Sequence, residues 1–267
     1  PLQYRVDGSK IGQPLGSFGR TLELDSHIIL GNFDEIEKLK EIISQKGYVV
    51  DSIIYSPLAS AQMFLTEKER HEGCLLIDFG GQFTIFSFFK EGVLQKSFVL
   101  PFGGDTLTLD IAMCLSVSIP EAERLKIMYG HVAFSKVSPE EKIEISTLKE
   151  GRIEIKRQFL CQIIEARVGE MFDFALRYFS SEAPLCLSVI ACGRGGQLRG
   201  LQSYSEGVFG KPVRIGCPDN VHSIISEPEG LNAVGLILYA IQSGAIKMNN
   251  SKPRSLFKKI KELLIRW

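Results

Sequence analysis

Three glycine turns hold the residues of this sequence best suited to meeting an anion. The first lies in "CLLIDFGGQFTIFSFF", residues 74–89, where Asp78 precedes Gly80 and Gly81 and Thr84 follows. Glycine lets backbone N–H groups approach phosphate oxygens and tolerates positive φ. An acid before such a turn can hold a magnesium ion through water, and Thr84 could add a hydroxyl. The same residues also fit a plain β-hairpin. The second turn is Gly103-Gly104-Asp105, ahead of a helical stretch whose first N–H groups could meet a phosphate; a simple cap is the other reading. The third is Cys192-Gly193-Arg194-Gly195-Gly196, between an apolar strand and a helix. Ligands of α/β sheets sit beyond the carboxyl ends of strands, although a bare strand-to-helix connection reads the same. Arg194 could pair with a phosphate or fill the space a nucleotide needs. Glu123 and Lys126 share one helix face, as ligand contacts or as a solvated ion pair.

The elements that must position these turns follow from periodicity. "LQYRVDG" and "RTLELDSHIIL" alternate as strands do, and residues 33–46 carry Phe33, Ile36, Leu39 and Ile43 at helical spacing. "YVVDSIIYS" is β-rich, and "PLASAQMFLTEKER" reads as one helix with Pro57 in its first turn. Strands are predicted at 74–79, 83–89 and 93–100. Helices follow in "PFGGDTLTLDIAMCL" and in "SIPEAERLKIMYG", which Gly130 ends. "KIEIS" and "RIEIK" read as short strands. Residues 157–180 form a long amphipathic helix on Phe159, Ile163, Ile164, Val168, Met171, Phe172 and Ala175. A buried strand, a strand in "PVRIGCP" and an apolar helix in "EGLNAVGLILYAIQSG" complete an α/β pattern with helices on both sides of a sheet.

Lysine plus arginine equals aspartate plus glutamate, 31 each, so no global charge argues for nucleic acid. The four histidines make no metal pattern with the six scattered cysteines, which read as reduced core residues of a cytosolic protein. No apolar run approaches the ~18 residues that a membrane span needs, and no signal peptide is present. The charge is uneven, however. Residues 254–267 hold Arg254, Lys258, Lys259, Lys261 and Arg266 against Glu262 alone. Leu256, Phe257, Ile260, Leu263, Leu264 and Trp267 fall at helical spacing on one face, with the lysines largely on the other. This pattern, behind the polar stretch "AIKMNNSKPR", favours a membrane-surface helix over one packed on the body.

In order and spacing, these segments resemble FtsA, the actin-like bacterial cell-division protein, over nearly the whole sequence. "YRVDGSKIGQPLGSFGRTLEL" resembles the family's 1C subdomain and "LASAQMFLTEKE" the helix after it. "LIDFGGQFTIFSF" looks like the second phosphate loop, "LPFGGDTLTLDIA" with "EAERLKIMYG" the next two segments, and "CGRGGQLRGL" the adenosine loop. The terminal basic helix resembles the membrane-targeting sequence. The resemblance implies an α/β, actin-like (ribonuclease H-like) ATPase fold with an incomplete first lobe and a C-terminal amphipathic helix. Residues 1–72 would be a partial 1C-like subdomain and the end of lobe 1, 73–242 the second lobe, 243–253 a linker, and 254–267 the membrane helix.

The resemblance also implies ATP and magnesium as cofactors, FtsZ and anionic inner-membrane lipid as partners, and self-association into filaments. The site would be the cytoplasmic face of the inner membrane at the division site. Carried over, Asp78, Gly80, Gly81 and Thr84 fall at phosphate and magnesium positions and Gly103 at the next glycine turn. Glu123 and Lys126 fall at ribose and adenine positions, and Gly193, Gly195 and Gly196 line the adenosine loop. Arg167 matches an arginine on the helix thought to engage the FtsZ tail. Leu256, Phe257, Lys258, Lys259, Ile260, Leu263, Leu264 and Trp267 would meet the membrane. Gln82, Phe83 and Ile85 replace a glycine, a hydroxyl residue and an acid, and Arg194 replaces a glycine, which implies weak or lost ATP binding. The reading is therefore a membrane tether for FtsZ filaments and at most a weak ATPase. The rival is an active actin-like ATPase or kinase whose terminal helix docks on its own core.

Overall fold

The computed structural model describes residues 2–149, 151–216 and 228–243. The expected linker and terminal helix lie outside the described residues. The chain opens with β1 (Gln3–Val6), β2 (Ser9–Ile11) and β3 (Leu22–Asp25), a small antiparallel sheet in the order β2-β1-β3. Asp7 turns the first hairpin at φ 51°, and its carboxylate accepts from the N–H groups of Arg20 and Thr21. The helix α1 (Phe33–Gln45) starts on Asn32, whose side chain accepts from the N–H groups of Asp34 and Glu35. Its periodicity is as read, but its apolar face is uncovered: Phe33, Leu39 and Ile42 are exposed. The β-rich run after it forms no strand. Tyr48, Val49 and Ile53 stay exposed and pair with no strand among the described residues.

The helix expected over "PLASAQMFLTEKER" is two helices, α2 (Ser56–Phe64) and α3 (Glu67–Glu72). Leu65 is extended, and Thr66 restarts the helix with a capping box. Glu69 N–H donates to Thr66 Oγ1 at 3.2 Å, and Thr66 N–H donates to Glu69 Oε2 at 2.8 Å. The Thr-x-x-Glu signature was there to be read, but continuous helix formers on both sides hid it.

The main sheet comprises β4 (Cys74–Phe79), β5 (Thr84–Lys90) and β6 (Val93–Leu100), then, after the helices described next, β9 (Ser188–Cys192) and β10 (Val213–Ile215). Its order is β10-β9-β4-β5-β6; β4, β9 and β10 run parallel, while β4, β5 and β6 form an antiparallel meander. Between β6 and β9 come α4 (Gly104–Leu115), α5 (Ile119–Tyr129), the hairpin of β7 (Lys142–Thr147) and β8 (Gly151–Lys156), and the long α6 (Arg157–Tyr178). After β9 come α7 (Leu201–Phe209), β10 and finally α8 (Pro228–Gln242).

Both faces of the sheet are covered, which is why β4 reads as an unbroken apolar run. Leu75, Ile77 and Phe79 face a core shared with Leu107 and Ile111 of α4 and Leu160, Ile164, Val168 and Phe172 of α6. Cys74 and Leu76 face the other way, onto Ala61 and Phe64 of α2 and Leu231 of α8. On α6 the buried stripe runs through Leu160 and Cys161, and Phe159, expected inside, is 46% exposed. Of the five described cysteines, Cys114 alone is exposed; the others are core residues.

Candidate functional site

The three glycine turns, the first and last over 100 residues apart in sequence, meet at one cavity of about 390 Å³. Gly80 and Gly81 come from the β4–β5 turn, Gly104 and Asp105 from the start of α4, Glu123 and Lys126 from α5, and Arg194 and Gly195 from the β9–α7 turn. Parallel β4 and β9 end side by side, so their turns open at the same edge. Lys126, Arg194 and Arg199 line the cavity against two acids, Asp105 and Glu123, a balance suited to an anionic ligand.

Lys126 organises one wall. Its ammonium lies 2.6 Å from Glu123 Oε2 and donates to Gly104 O at 2.9 Å and Thr108 Oγ1 at 2.8 Å. Thr108 Oγ1 also donates to Glu123. Burial works against the Glu123 carboxylate, but the hydrogen bonds from Lys126 and Thr108 outweigh it and hold the carboxyl below its usual range.

The opposite wall is made by close backbone approach. A Cβ on Gly103 would lie 2.3 Å from Gly81 O and 2.6 Å from Gly80 O. That contact lets Gly104 N–H donate to Gly80 O at 3.0 Å and Asp105 N–H to Gly81 O at 2.9 Å. Two N–H groups expected to meet a phosphate at the start of α4 are therefore already used. Gly80 N–H closes its own turn onto Phe83 O. The N–H groups of Gly81 and Gln82 have no acceptor among the described residues. Thr84 is fully buried, and its hydroxyl donates to Phe102 O at 2.8 Å, fastening β5 to the second turn.

Asp78 faces away from the cavity, toward α2 and α8. Its carboxylate accepts from Ser60 Oγ at 3.0 Å, and Ser60 also lies 3.0 Å from Asn232 Oδ1. Burial pushes the Asp78 carboxyl above its ordinary range, against the opposing hydrogen bonds from Ser60 and Asn232. A raised folded-state pKa means that the charged form is the strained one. The burden is absent below the carboxylate's ordinary pKa of 3.8, grows as pH rises, and levels off above the folded-state value. Asp78→Asn should therefore melt higher than the native chain at pH 7, and the difference should shrink as pH falls from the folded-state value toward 3.8; melting curves across that range check it.

Gly193, Gly195 and Gly196 shape the third turn. Gly195 stacks on the ring of Phe79, where an added Cβ would lie 2.4 Å from ring carbons. Gly196 N–H donates to Gly193 O at 3.1 Å, closing the turn. Among the sequence candidates, Gly80, Gly81, Glu123, Lys126 and Gly195 line the cavity; Asp78, Thr84, Gly103, Gly193 and Gly196 stand behind it. Asp105 and Arg199 are lining residues that sequence reading did not single out as ligand contacts. The carboxylate of Asp105 folds back over Gly81, so that a Cβ there would meet it at 3.4 Å. Arg167 sits elsewhere, tying α6 to α4 through Asp110 at 2.6 and 3.0 Å, pairing with Glu170, and lying 5.2 Å from the ring centre of Phe102.

A family model described as "Cell division protein FtsA" matches residues 75–235, more than half of the sequence. The chain belongs to the FtsA family. It is 30% identical to the FtsA of Pseudomonas aeruginosa over 93% of this chain, and 30% identical to that of Bacillus subtilis over 92%. It spans 61% and 57% of those relatives' lengths. Among solved structures, MreB5 of Spiroplasma citri bound to ADP superposes with a TM-score of 0.67 at 18% identity, covering 82% of this chain and 69% of that one. The PilM–PilN type IV pilus biogenesis complex gives 0.58 at 18% identity, covering 77% and 57%. The fold of this FtsA-family chain is thus the actin-like ATPase fold that the sequence implied. Its cavity fits a nucleoside, with apolar Leu107, Ile127 and Leu198 beside the Glu123–Lys126 pair. No group of three or more His, Cys, Asp or Glu side chains that could hold a metal occurs among the described residues. Magnesium would have to be held largely by the ligand's own phosphates, with the Asp105 carboxylate beside the first turn; Asp78, turned toward Ser60, is not placed to share it.

Proposed function

We propose that this chain works in the division machinery as a membrane tether, linking FtsZ filaments to the cytoplasmic face of the inner membrane at the division site. The observation that carries the reading is the family match over residues 75–235. The sequence of residues 254–267 supports the membrane part: an apolar stripe ending in Trp267, flanked by lysines, suits the surface of an anionic leaflet. No described helix is long and apolar enough to cross a membrane. Self-association into filaments, with Arg167 near the FtsZ-facing surface, belongs to the same proposal.

The nucleotide part is a weakened site. Glu123 and Lys126 would hold the sugar and base, and the N–H groups of Gly81 and Gln82 the phosphates; magnesium would supply charge neutralisation there. The internal use of the Gly104, Asp105 and Thr84 donors supports weak ATP binding, as does the Asp105 carboxylate over Gly81.

Co-sedimentation with vesicles tests the tether. The full chain should pellet with anionic vesicles and carry FtsZ with it. Removal of residues 254–267 should abolish pelleting and leave a soluble, folded protein. The ~4 net positive charges contribute on the order of 1 kcal/mol each near such a surface, so raised salt should release the chain. If the truncated protein instead aggregates and the full chain ignores vesicles, the helix docks on its own body and the tether reading is wrong.

A further inference from the structure

A second cavity, of about 320 Å³, lies on the other side of the main sheet from the glycine-turn cavity and shares none of its lining residues. Its walls come from every layer on that side. Leu58 and Gln62 belong to α2, Arg70 to α3, Phe89 and Leu94 to the β5–β6 hairpin, and Tyr239 to α8. His27 and Ile29, just after the small N-terminal sheet, close it. The walls are mainly aliphatic and aromatic, yet four polar side chains share them: His27, Gln62, Arg70 and Tyr239.

None of the four has a side-chain hydrogen bond or ion pair among the described residues, and Nδ1 of His27 is buried without one. Arg70 thus lines a mainly apolar cavity without an ion pair among the described residues, which leaves its guanidinium available to an anionic ligand. The volume is within the range of small-molecule sites, which starts near about 300 Å³.

The chemistry of the walls selects the ligand. Arg70 is the one permanent charge among the lining residues, so a monoanion is balanced and a doubly charged phosphate is not. The planar guanidinium fork suits the two oxygens of a carboxylate. The apolar remainder of the lining needs a hydrocarbon body. We propose that this cavity binds a small aliphatic carboxylate, with its head at Arg70 and its chain among Leu58, Phe89 and Leu94. Because His27 and Ile29 belong to the N-terminal part and the rest of the wall to the main-sheet body, the ligand also fastens one to the other. In the bare protein the Lys10–Glu91 ion pair joins the same two parts across an exposed surface.

The test is calorimetry of the 267-residue chain with octanoate, with acetate and 1-octanol supplying the head and the body alone. Octanoate should bind saturably at least tenfold more tightly than either. Arg70→Gln, at a half-buried position of α3 with no ion pair among the described residues, should fold normally and lose at least tenfold in octanoate affinity, as expected for a charge-assisted hydrogen bond removed. Tyr239→Phe should lose less. Amide exchange at residues 27–29 should slow when octanoate is added to the native chain but not to Arg70→Gln. Absence of saturable octanoate binding overturns the proposal, as does equal binding by 1-octanol or affinity unchanged in Arg70→Gln.

Discussion

Gly193→Ala is expected to destabilise the chain by about 3 kcal/mol and to lower its melting temperature by roughly 10 °C. Two effects act together at this position. Gly193 sits at φ +79°, a region that costs an L-residue about 1–2 kcal/mol. Its added Cβ would also lie 2.5 Å from Phe79 O and 2.9 Å from Asp78 Oδ1. The first is a backbone atom in the central strand β4 and cannot swing aside, so the overlap must be relieved by pushing two parallel strand ends apart. Overpacking of that kind costs about 1–3 kcal/mol. Gly210→Ala is the control, because Gly210 also has positive φ (+60°) but has nothing within 4 Å of the added atom. It should show the backbone cost alone. Equal losses in the two variants, measured by denaturant titration, would show that the close approach of the third turn to β4 is not what requires glycine.

Lys126→Met should act on both stability and binding. The Lys126 side chain is only 11% exposed, and its ammonium holds Glu123, Gly104 O and Thr108 together; the Glu123 side chain is 44% exposed. Breaking a fully buried pair costs about 3–5 kcal/mol, so with one partner still reached by water about 2 kcal/mol is expected. The pH dependence separates this from simple repacking. The native Glu123 carboxyl is held below its ordinary pKa of 4.5, so its contribution is present above that value and lost as pH falls through the folded-state pKa. The gap between native and variant should therefore be widest near neutrality and narrow in acid. Under the proposed function, calorimetry at neutral pH should also show ADP affinity reduced at least tenfold, because Lys126 faces the cavity. A variant that loses stability but binds ADP as well as the native chain would make Lys126 a purely structural residue.

Local chemistry was readable wherever it depended on near neighbours. The apolar alternation of β4, β5 and β6, the Pro120–Gly130 limits of α5 and the glycine turns all follow from contacts within a few residues. The segment order that pointed to the FtsA family is equally a property of the chain alone. Failures came where a partner was missing or unexpected. Residues 48–55 have β propensity, but a strand exists only beside another strand. The periodicity of α1 marks a helix without saying whether anything covers its face. Phe159 fits a helical stripe, but the stripe that meets the sheet is rotated onto Leu160 and Ile164.

The sequence by itself determined which residues could do chemistry: three turns rich in glycine, an acid–lysine pair and a basic amphipathic tail. It could not determine which of their donors remain available, because that is set by contacts between segments far apart. Only the tertiary structure decided that Gly103 comes close enough to the first turn for Gly104 and Asp105 N–H to be taken by carbonyls of Gly80 and Gly81. It alone gave the Thr84 hydroxyl to Phe102 and turned Asp78 toward Ser60. A hydrogen-bonding group serves one partner well at a time, and the fold, by bringing those partners within 3 Å, chose them before any ligand could.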